Sequence, residues 1–517
     1  MFTRMHTFTT LRLLLGDQLN AHHSWFSHKD PKVLYTLMEV RQETDYTKHH
    51  IQKITAFFAA MRDFSRYLKK QGHAVAYIRL DEDANHQSFE KNLLQLIRKH
   101  KISVFEYQLP DEFRLDQQIQ KITRNLHIRV RSYDTEHFYT PRNAVDEFFK
   151  DKKHYLMESF YRFMRKKHHV LIDNQKPKGG KWNFDAANRQ PYDKKTPIPS
   201  PRLFENDVSD IREMIDRHTV SYFGELNEDK LIWPVNRSQA LDLMNYFIRY
   251  GLPWFGTYQD AMTVNSWSLF HSRLSFALNT KMLSPVEVIN AVVSHFENHP
   301  DRLEIAQVEG FVRQILGWRE YMRGIYWALM PQFDKMNFFS HTEKLPHYFW
   351  DADTKMNCMH MALKQSLQTA YAHHIQRLMV TGNFALLAGI DPDDVDAWYL
   401  GVYIDAIEWV EKPNTRGMSQ YADGGLIATK PYVSSANYIN KMSDYCRHCN
   451  YQYKKHHGKG ACPYNSLFWD LYHRHRPLLE KNPRISMMYR TWDKKPDTEK
   501  KEILAQAAIY RKNLESL

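Results

Sequence analysis

The chain has 517 residues with 43% hydrophobic content, enough for two or three domains each with its own core. A formal net charge of +12 favours polyanionic partners, nucleic acid first, although such a surface also serves solubility. No run of about 18 apolar residues occurs, and Met1–Thr10 lacks the apolar core of a signal peptide, so a spanning or secreted protein is excluded and a reducing, cytoplasmic setting is expected.

The first 135 residues alternate strand and helix signals. Leu11–Leu15 is a short apolar run ending in Gly16-Asp17-Gln18, and Val33–Met38 is a second. Thr47–Lys70 reads as a long amphipathic helix with Ile51, Ile54, Phe57, Phe58, Met61 and Leu68 on one face. Ala74–Arg79 and Ile102–Tyr107 read as strands with a helix over Phe89–His100 between them, and Ile128–Val130 as a fifth strand. This alternation predicts a doubly wound parallel sheet, with ligands beyond the carboxyl ends of its strands, in the loops after Leu15 and Met38. No GxGxxG follows the first strand, which argues against a nicotinamide dinucleotide.

Between Lys150 and Lys195 stand 13 Lys and Arg against 5 Asp and Glu, with Gly179-Gly180 and several prolines. The segment reads as a connector or extended loop rather than a core. Trp182, Phe184 and Tyr192 among the bases fit a nucleic-acid surface, or a solvated linker. From Trp233 onward helical periodicity dominates, over 236–250, 285–298, 304–330, 355–380 and 393–411. Asp391, Asp393, Asp394 and Asp396 read as a helix start favoured by its dipole.

The four cysteines are Cys358, then Cys446-Arg-His-Cys449 and, twelve residues on, Cys462-Pro463. Four thiolates with a C-x-x-C clamp hold either a structural zinc or an iron–sulfur cluster, and Cys358 would tie the C-terminal segment to an upstream helix. The hydroxyls and the arginine of Ser268–Ser275 suit a phosphate at a helix start, or a plain N-cap.

Taken together, the run His271-Ser-Arg-Leu-Ser275, the run Arg313-Gln-Ile-Leu-Gly-Trp-Arg-Glu-Tyr321, the His373-His374-x-x-Arg377 motif and the opening Leu13-Leu-Leu-Gly-Asp-Gln-Leu19 resemble the photolyases and cryptochromes. The cysteine pattern points to the bacterial iron–sulfur (6-4) branch. The resemblance implies an α/β antenna domain (1–135), a connector (136–230) and an all-helical flavin domain (231–517).

It also implies three cofactors. A lumazine antenna, 6,7-dimethyl-8-ribityllumazine, would lie against Gly16, Asp17, Met38, Glu43, Tyr46 and Phe57. FAD would meet Tyr258, His271, Ser272, Leu274, Ser275, Gln314 and Arg319, with the Arg377–Asp405 pair, His374 and Glu411 beside its ring system. Cys358, Cys446, Cys449 and Cys462 would carry a 4Fe–4S cluster.

The same resemblance makes Trp350, Trp398 and Tyr399 an electron path. His374 becomes the flavin- and lesion-facing histidine and His373 the proton donor, or the reverse. Met418 and Tyr432 become lesion-rim residues, and Lys and Arg of 150–195 and near Lys430 phosphate contacts. The implied activity is light-driven repair of (6-4) photoproducts in UV-damaged DNA by a monomer. The alternatives are a blue-light cryptochrome without repair and a cluster-bearing nuclease or primase-like module, for which no convincing paired-carboxylate site is found.

Overall fold

The computed structural model describes residues 8–152 and 155–517. The first seven residues of the Met1–Thr10 stretch read above lie outside them. Five parallel strands form one sheet: β1 (Thr10–Leu13), β2 (Val33–Met38), β3 (Ala74–Ile78), β4 (Val104–Gln108) and β5 (Arg129–Tyr133), in the order β3-β2-β1-β4-β5. Leu13 stands opposite Thr36 on one side and Tyr107 on the other.

Both faces are covered. The α-helix α1 (Ile51–Lys70) packs Ile54, Phe58 and Met61 into the core that holds Tyr35 and Leu37. The opposite face, with Leu11, Leu13, Leu34 and Phe105, lies under α2 (Phe89–His100) and α3 (Phe113–Arg124). Arg12, between the two leucines, is satisfied by Glu106 at 2.8 Å and the Tyr35 hydroxyl at 2.9 Å. Helix α3 has no counterpart in the sequence reading, because Asp, Gln and Lys dilute its stripe of Leu115, Ile119 and Ile122.

The helix expected from Thr47 begins only at Ile51. His49–His50 is instead drawn into a parallel pair with Tyr222–Phe223, and the His50 ring accepts the Gln52 amide as a cap.

The 150–195 stretch, read from its charge as a connector or extended loop, is partly packed into the core. Its helix Met157–Lys167 buries Phe160, Tyr161 and Met164 against the segment 313–319, where a Cβ on Gly317 would stand 3.1 Å from the Tyr161 ring. Arg165 is fully buried and bonds the carbonyls of Val170, Leu171 and Trp182. Arg165 is therefore structural and withdrawn from the phosphate contacts read above.

The remainder is helical, and two expected helices are interrupted. The 355–380 span breaks after Asn357–Thr369, where Ala370 has φ +53°, and the 393–411 span breaks between Pro392–Val402 and Glu408–Lys412. The breaks meet, because the Ile404 amide donates to the Ala370 carbonyl at 2.9 Å. Among the described residues no helix is long and apolar enough to cross a membrane.

Candidate functional site

Three centres emerge. The first is a cavity of about 800 Å³ beyond the carboxyl ends of β1, β2 and β4. Here the chain order of the sheet switches direction, and in such sheets that crevice takes ligands. All six residues expected there, Gly16, Asp17, Met38, Glu43, Tyr46 and Phe57, line it.

Arg114 grips Glu43 through two bonds, of 3.0 and 2.8 Å, and lies 3.8 Å from the centre of the Tyr46 ring. Lys281 joins Asp17 at 3.0 Å to Asp111 at 2.8 Å, tying the loops after β1 and β4 to the helical body. Burial raises Asp17 to about 6, with Lys281 opposing.

Sequence reasoning missed His49, Lys53 and Arg114, which also line this cavity. Neither ring nitrogen of His49 has a hydrogen-bond partner, and burial holds the ring neutral. Lys53 donates to the carbonyls of Leu400 and Ala406, at 2.6 and 2.8 Å, and burial lowers it to about 8. His49 and Lys53 stand among the apolar positions of the 47–70 stretch and Arg114 in a segment for which no element was read, so nothing in the residue order singled them out.

The second centre gathers the cysteines. Cys358 from the helix Asn357–Thr369, Cys446 and Cys449 from the loop around Tyr445–His448, and Cys462 before the helix Pro463–Arg474 line one cavity of about 310 Å³. All four are free thiols. Burial, then the other three thiols, push Cys358 well up, and Cys446 rises to about 12. Among the described residues no three His, Cys, Asp or Glu side chains gather to hold a single metal ion.

The third centre lies where the two helix breaks meet. Arg377 binds Asp405 through two bonds of 2.9 and 3.1 Å, donates to the Ala372 carbonyl at 2.6 Å and stacks 3.7 Å from the Tyr403 ring. The histidines are not inside one continuous helix, as 355–380 implied. His373 precedes the first helical residue, and its amide donates to the Gln376 side chain at 3.1 Å, an N-terminal cap.

His373 is buried and stacks on His271, with ring centres 4.4 Å apart. His374 is solvent-exposed although closely surrounded. Burial lowers both buried rings, His271 to about 4, so both are neutral near pH 7. His271 Nε2 and His373 Nδ1 are without partners.

Glu411 is buried, with the Thr415 hydroxyl beside its carboxylate. Burial first, then the Asp396 carboxylate, raise it well above the usual range. Tyr399 bonds Thr381 at 2.6 Å and the Arg377 carbonyl at 2.7 Å. The Trp398 ring lies 5.2 Å from both Tyr399 and Phe349, and Phe349 adjoins the half-exposed Trp350.

The other expected residues are more dispersed. Tyr258 stacks on Phe270 and bonds Thr196 at 3.0 Å. Ser272 accepts the Leu274 amide, Leu274 is buried, and Ser275 opens the short helix Ser275–Asn279. Beside them Arg273 is buried without a carboxylate partner among the described residues, bonded to the Arg202 carbonyl, and lines a cavity of about 280 Å³ with His271 and Ser272.

Gln314 bonds the Gly310 carbonyl. Arg319 is sandwiched between Phe138 and Trp409 and bonds the Leu278 carbonyl, with Nε and Nη1 unpartnered. Tyr432 is half-buried near Arg189, which also neighbours His374. Met418 is buried at 4% exposure, which places it beneath the surface rather than on an open rim.

The chain is 40% identical to a (6-4) photolyase of Agrobacterium fabrum over 511 residues, covering 98% of this chain and 99% of that protein. The chain belongs to the photolyase family. Residues 12–231 match the family model described as deoxyribodipyrimidine photo-lyase-related protein. A bacterial class III photolyase from Agrobacterium tumefaciens superposes with a TM-score of 0.58 at 14% identity, covering 85% of each chain. A Synechocystis cryptochrome superposes with a TM-score of 0.56 at 13% identity, covering 97% of this chain and 95% of the other. The fold is therefore the photolyase/cryptochrome fold, an α/β domain followed by a helical body.

Proposed function

We propose that this protein repairs (6-4) pyrimidine–pyrimidone photoproducts in DNA under blue light. The observation that carries the reading is the third centre, where the Arg377–Asp405 pair stands beside a buried His271–His373 stack in a chain 40% identical to a (6-4) photolyase over nearly its whole length.

Membership of the family implies FAD, and the residues present fit it. Unpartnered donors on Arg319, buried Arg273 without a counter-charge, and the free ring nitrogens of His271 and His373 are groups that an anionic, polar cofactor would satisfy. Bound reduced flavin supplies an excitable electron donor for the lesion. Arg377 is held by Asp405 as a fixed cation for its ring system, and protonated Glu411 holds a proton in the same region. The neutral His373 and solvent-facing His374 offer N–H groups to a lesion flipped out of the duplex. Tyr399 and Trp398, in ring contact, with Trp350 following Phe349 in the chain, are assigned to an electron path.

The thiol-lined cavity brings Cys358, Cys446, Cys449 and Cys462 around one space, the four-thiolate set a cluster needs. We assign it 4Fe–4S. The first cavity suits a flat heterocycle with a polyol chain: Phe57 and Met38 provide apolar cover, while Glu43, Asp17 and His49 provide polar edges. That cavity is the place for a ribityllumazine antenna in the 1–135 unit.

The test exposes DNA bearing one (6-4) adduct to the reduced, flavin-loaded protein under blue light. Repair by the wild type and its loss in His373→Ala and His374→Ala, with flavin retained, supports the reading. An unaltered adduct under a fully loaded wild type would refute it in favour of a photoreceptor without repair.

A further inference from the structure

The thiol cavity and the third centre are joined by one buried side chain, Gln376. It opens the segment Gln376–Gly382 and is followed directly by Arg377. The His373 amide donates to Gln376 Oε1 at 3.1 Å, and Gln365 Nε2 donates to the same oxygen at 3.1 Å. Gln376 Nε2 donates to Gln365 Oε1 at 2.8 Å and to the Tyr445 hydroxyl at 3.2 Å. Both protons and both lone pairs of this carboxamide are therefore engaged. The His373 N–H can only donate, so the carboxamide cannot be turned over without setting donor against donor. The cap on His373 and the bond to Tyr445 are fixed together.

Tyr445 stands at the other end. It lines the thiol cavity, is buried, and directly precedes Cys446. Its carbonyl accepts from Asn357 Nδ2 at 2.7 Å, and Asn357 directly precedes Cys358. Tyr464, two residues after Cys462 and on the same cavity wall, donates its hydroxyl to the Val380 carbonyl at 3.0 Å. The segment 376–382 is thus held from the thiol cavity at two points. His373 Nδ1 has no hydrogen-bond partner, so the ring is placed by its 4.4 Å stack on His271 and by the backbone that Gln376 caps. A buried polar network with every member satisfied is rigid and transmits displacement.

We propose that Tyr445 and Gln376 are positioning residues, a buried brace through which the wall of the thiol cavity holds His373 in place against His271. Ligation of Cys446 and Cys358 would anchor the two chain segments from which the brace starts, so filling of that cavity and placement of His373 are linked in both directions. The brace acts by position alone, and neither electron nor proton passes along it. Its consequence for repair rests on the reading of the third centre as the repair site.

The experiment follows the imidazole signals of histidine-labelled protein by proton–nitrogen NMR in the dark, with flavin and iron bound, and His373→Ala identifies the His373 signal. Tyr445→Phe removes one hydroxyl and keeps the ring on the cavity wall. It is expected to move the His373 signal and to lower turnover on adduct-bearing DNA by up to about a hundredfold with KM unchanged, at wild-type iron and flavin content. Gln376→Met strips the cap as well. It is expected to move the His373 signal further and, because the coupling is reciprocal, to alter the visible circular dichroism of the iron–sulfur chromophore.

An unmoved His373 signal in Tyr445→Phe overturns the brace. If Tyr445→Phe does not fold, Gln376→Met decides instead, and a wild-type cluster dichroism in that variant overturns the brace. A His373 signal that moves while turnover stays at the wild-type level supports the brace and refutes the assignment of His373 to repair, so the two readings fail separately.

Discussion

The Arg377–Asp405 pair allows a quantitative test of how deeply the third centre is built into the fold. Asp405→Ala removes two charge-assisted bonds and strands a guanidinium on the Ala372 carbonyl and the Tyr403 face. Removing one partner of a buried ion pair costs roughly 3–5 kcal/mol, whereas exposed pairs cost under about 1 kcal/mol. The side chains are 21% and 9% exposed, so solvent screening is partial. The lower end then applies, about 3 kcal/mol for Asp405→Ala.

Arg377→Met in the same chain removes the stranded charge. The double variant should therefore be more stable than the sum of the single losses by about 2 kcal/mol. The assay is urea unfolding followed together by tryptophan fluorescence and far-ultraviolet circular dichroism, whose coincidence licenses a free-energy reading. Strict additivity, or a loss below about 1 kcal/mol for Asp405→Ala, would show that the pair behaves as a solvated surface contact.

Three further outcomes are expected. His50 is locked neutral, with one ring nitrogen accepting the Gln52 amide and the other donating to the Leu367 carbonyl, and burial lowers it to about 4. Its folded value lies below the unfolded one, so its contribution is complete above about pH 6.5 and is lost as pH falls toward 4. His50→Gln should flatten the slope of unfolding free energy against pH in that window by up to about 1.4 kcal/mol per pH unit, and parallel curves would contradict this. Cys446→Ser should lower bound iron and the broad visible absorbance, measured by metal analysis and spectrum. A Cβ on Gly16 would meet Met61 at 3.1 Å and Phe57 at 3.3 Å, so Gly16→Leu should displace the antenna chromophore while flavin content, read after denaturing release, stays at wild-type level.

Much of this was legible in the residue order. Short apolar runs and a period-3.6 face located the five strands and the helices α1 and α2, and the four cysteines read as one ligand set line one space. The helix breaks were not legible. Nothing in Thr369–Ile375 is glycine or proline, so the interruption at Ala370 comes from its tertiary bond to Ile404. That bond also brings the loop of Asp405 to Arg377. The apolar face of Met157–Lys167 was masked by basic residues counted without regard to side. Asp396 was hidden inside an acidic run whose other members serve the helix end. Burial separates it from them, and a linear pattern shows which residues are charged but not which of two neighbouring turns faces inward.

The 136–230 segment seats one helix on the bundle and then comes back to add Tyr222–Phe223 alongside His49–His50. The two bodies are thus stitched together at separate points, and Lys281 bolts them between those stitches. An interface tied in this way resists the hinge motion that a simple tether permits. If the proposed antenna and flavin occupy their cavities, this tying would hold the two chromophores at a fixed spacing and mutual angle, as on an optical bench, so that energy handed across would not depend on chance encounters between wandering lobes.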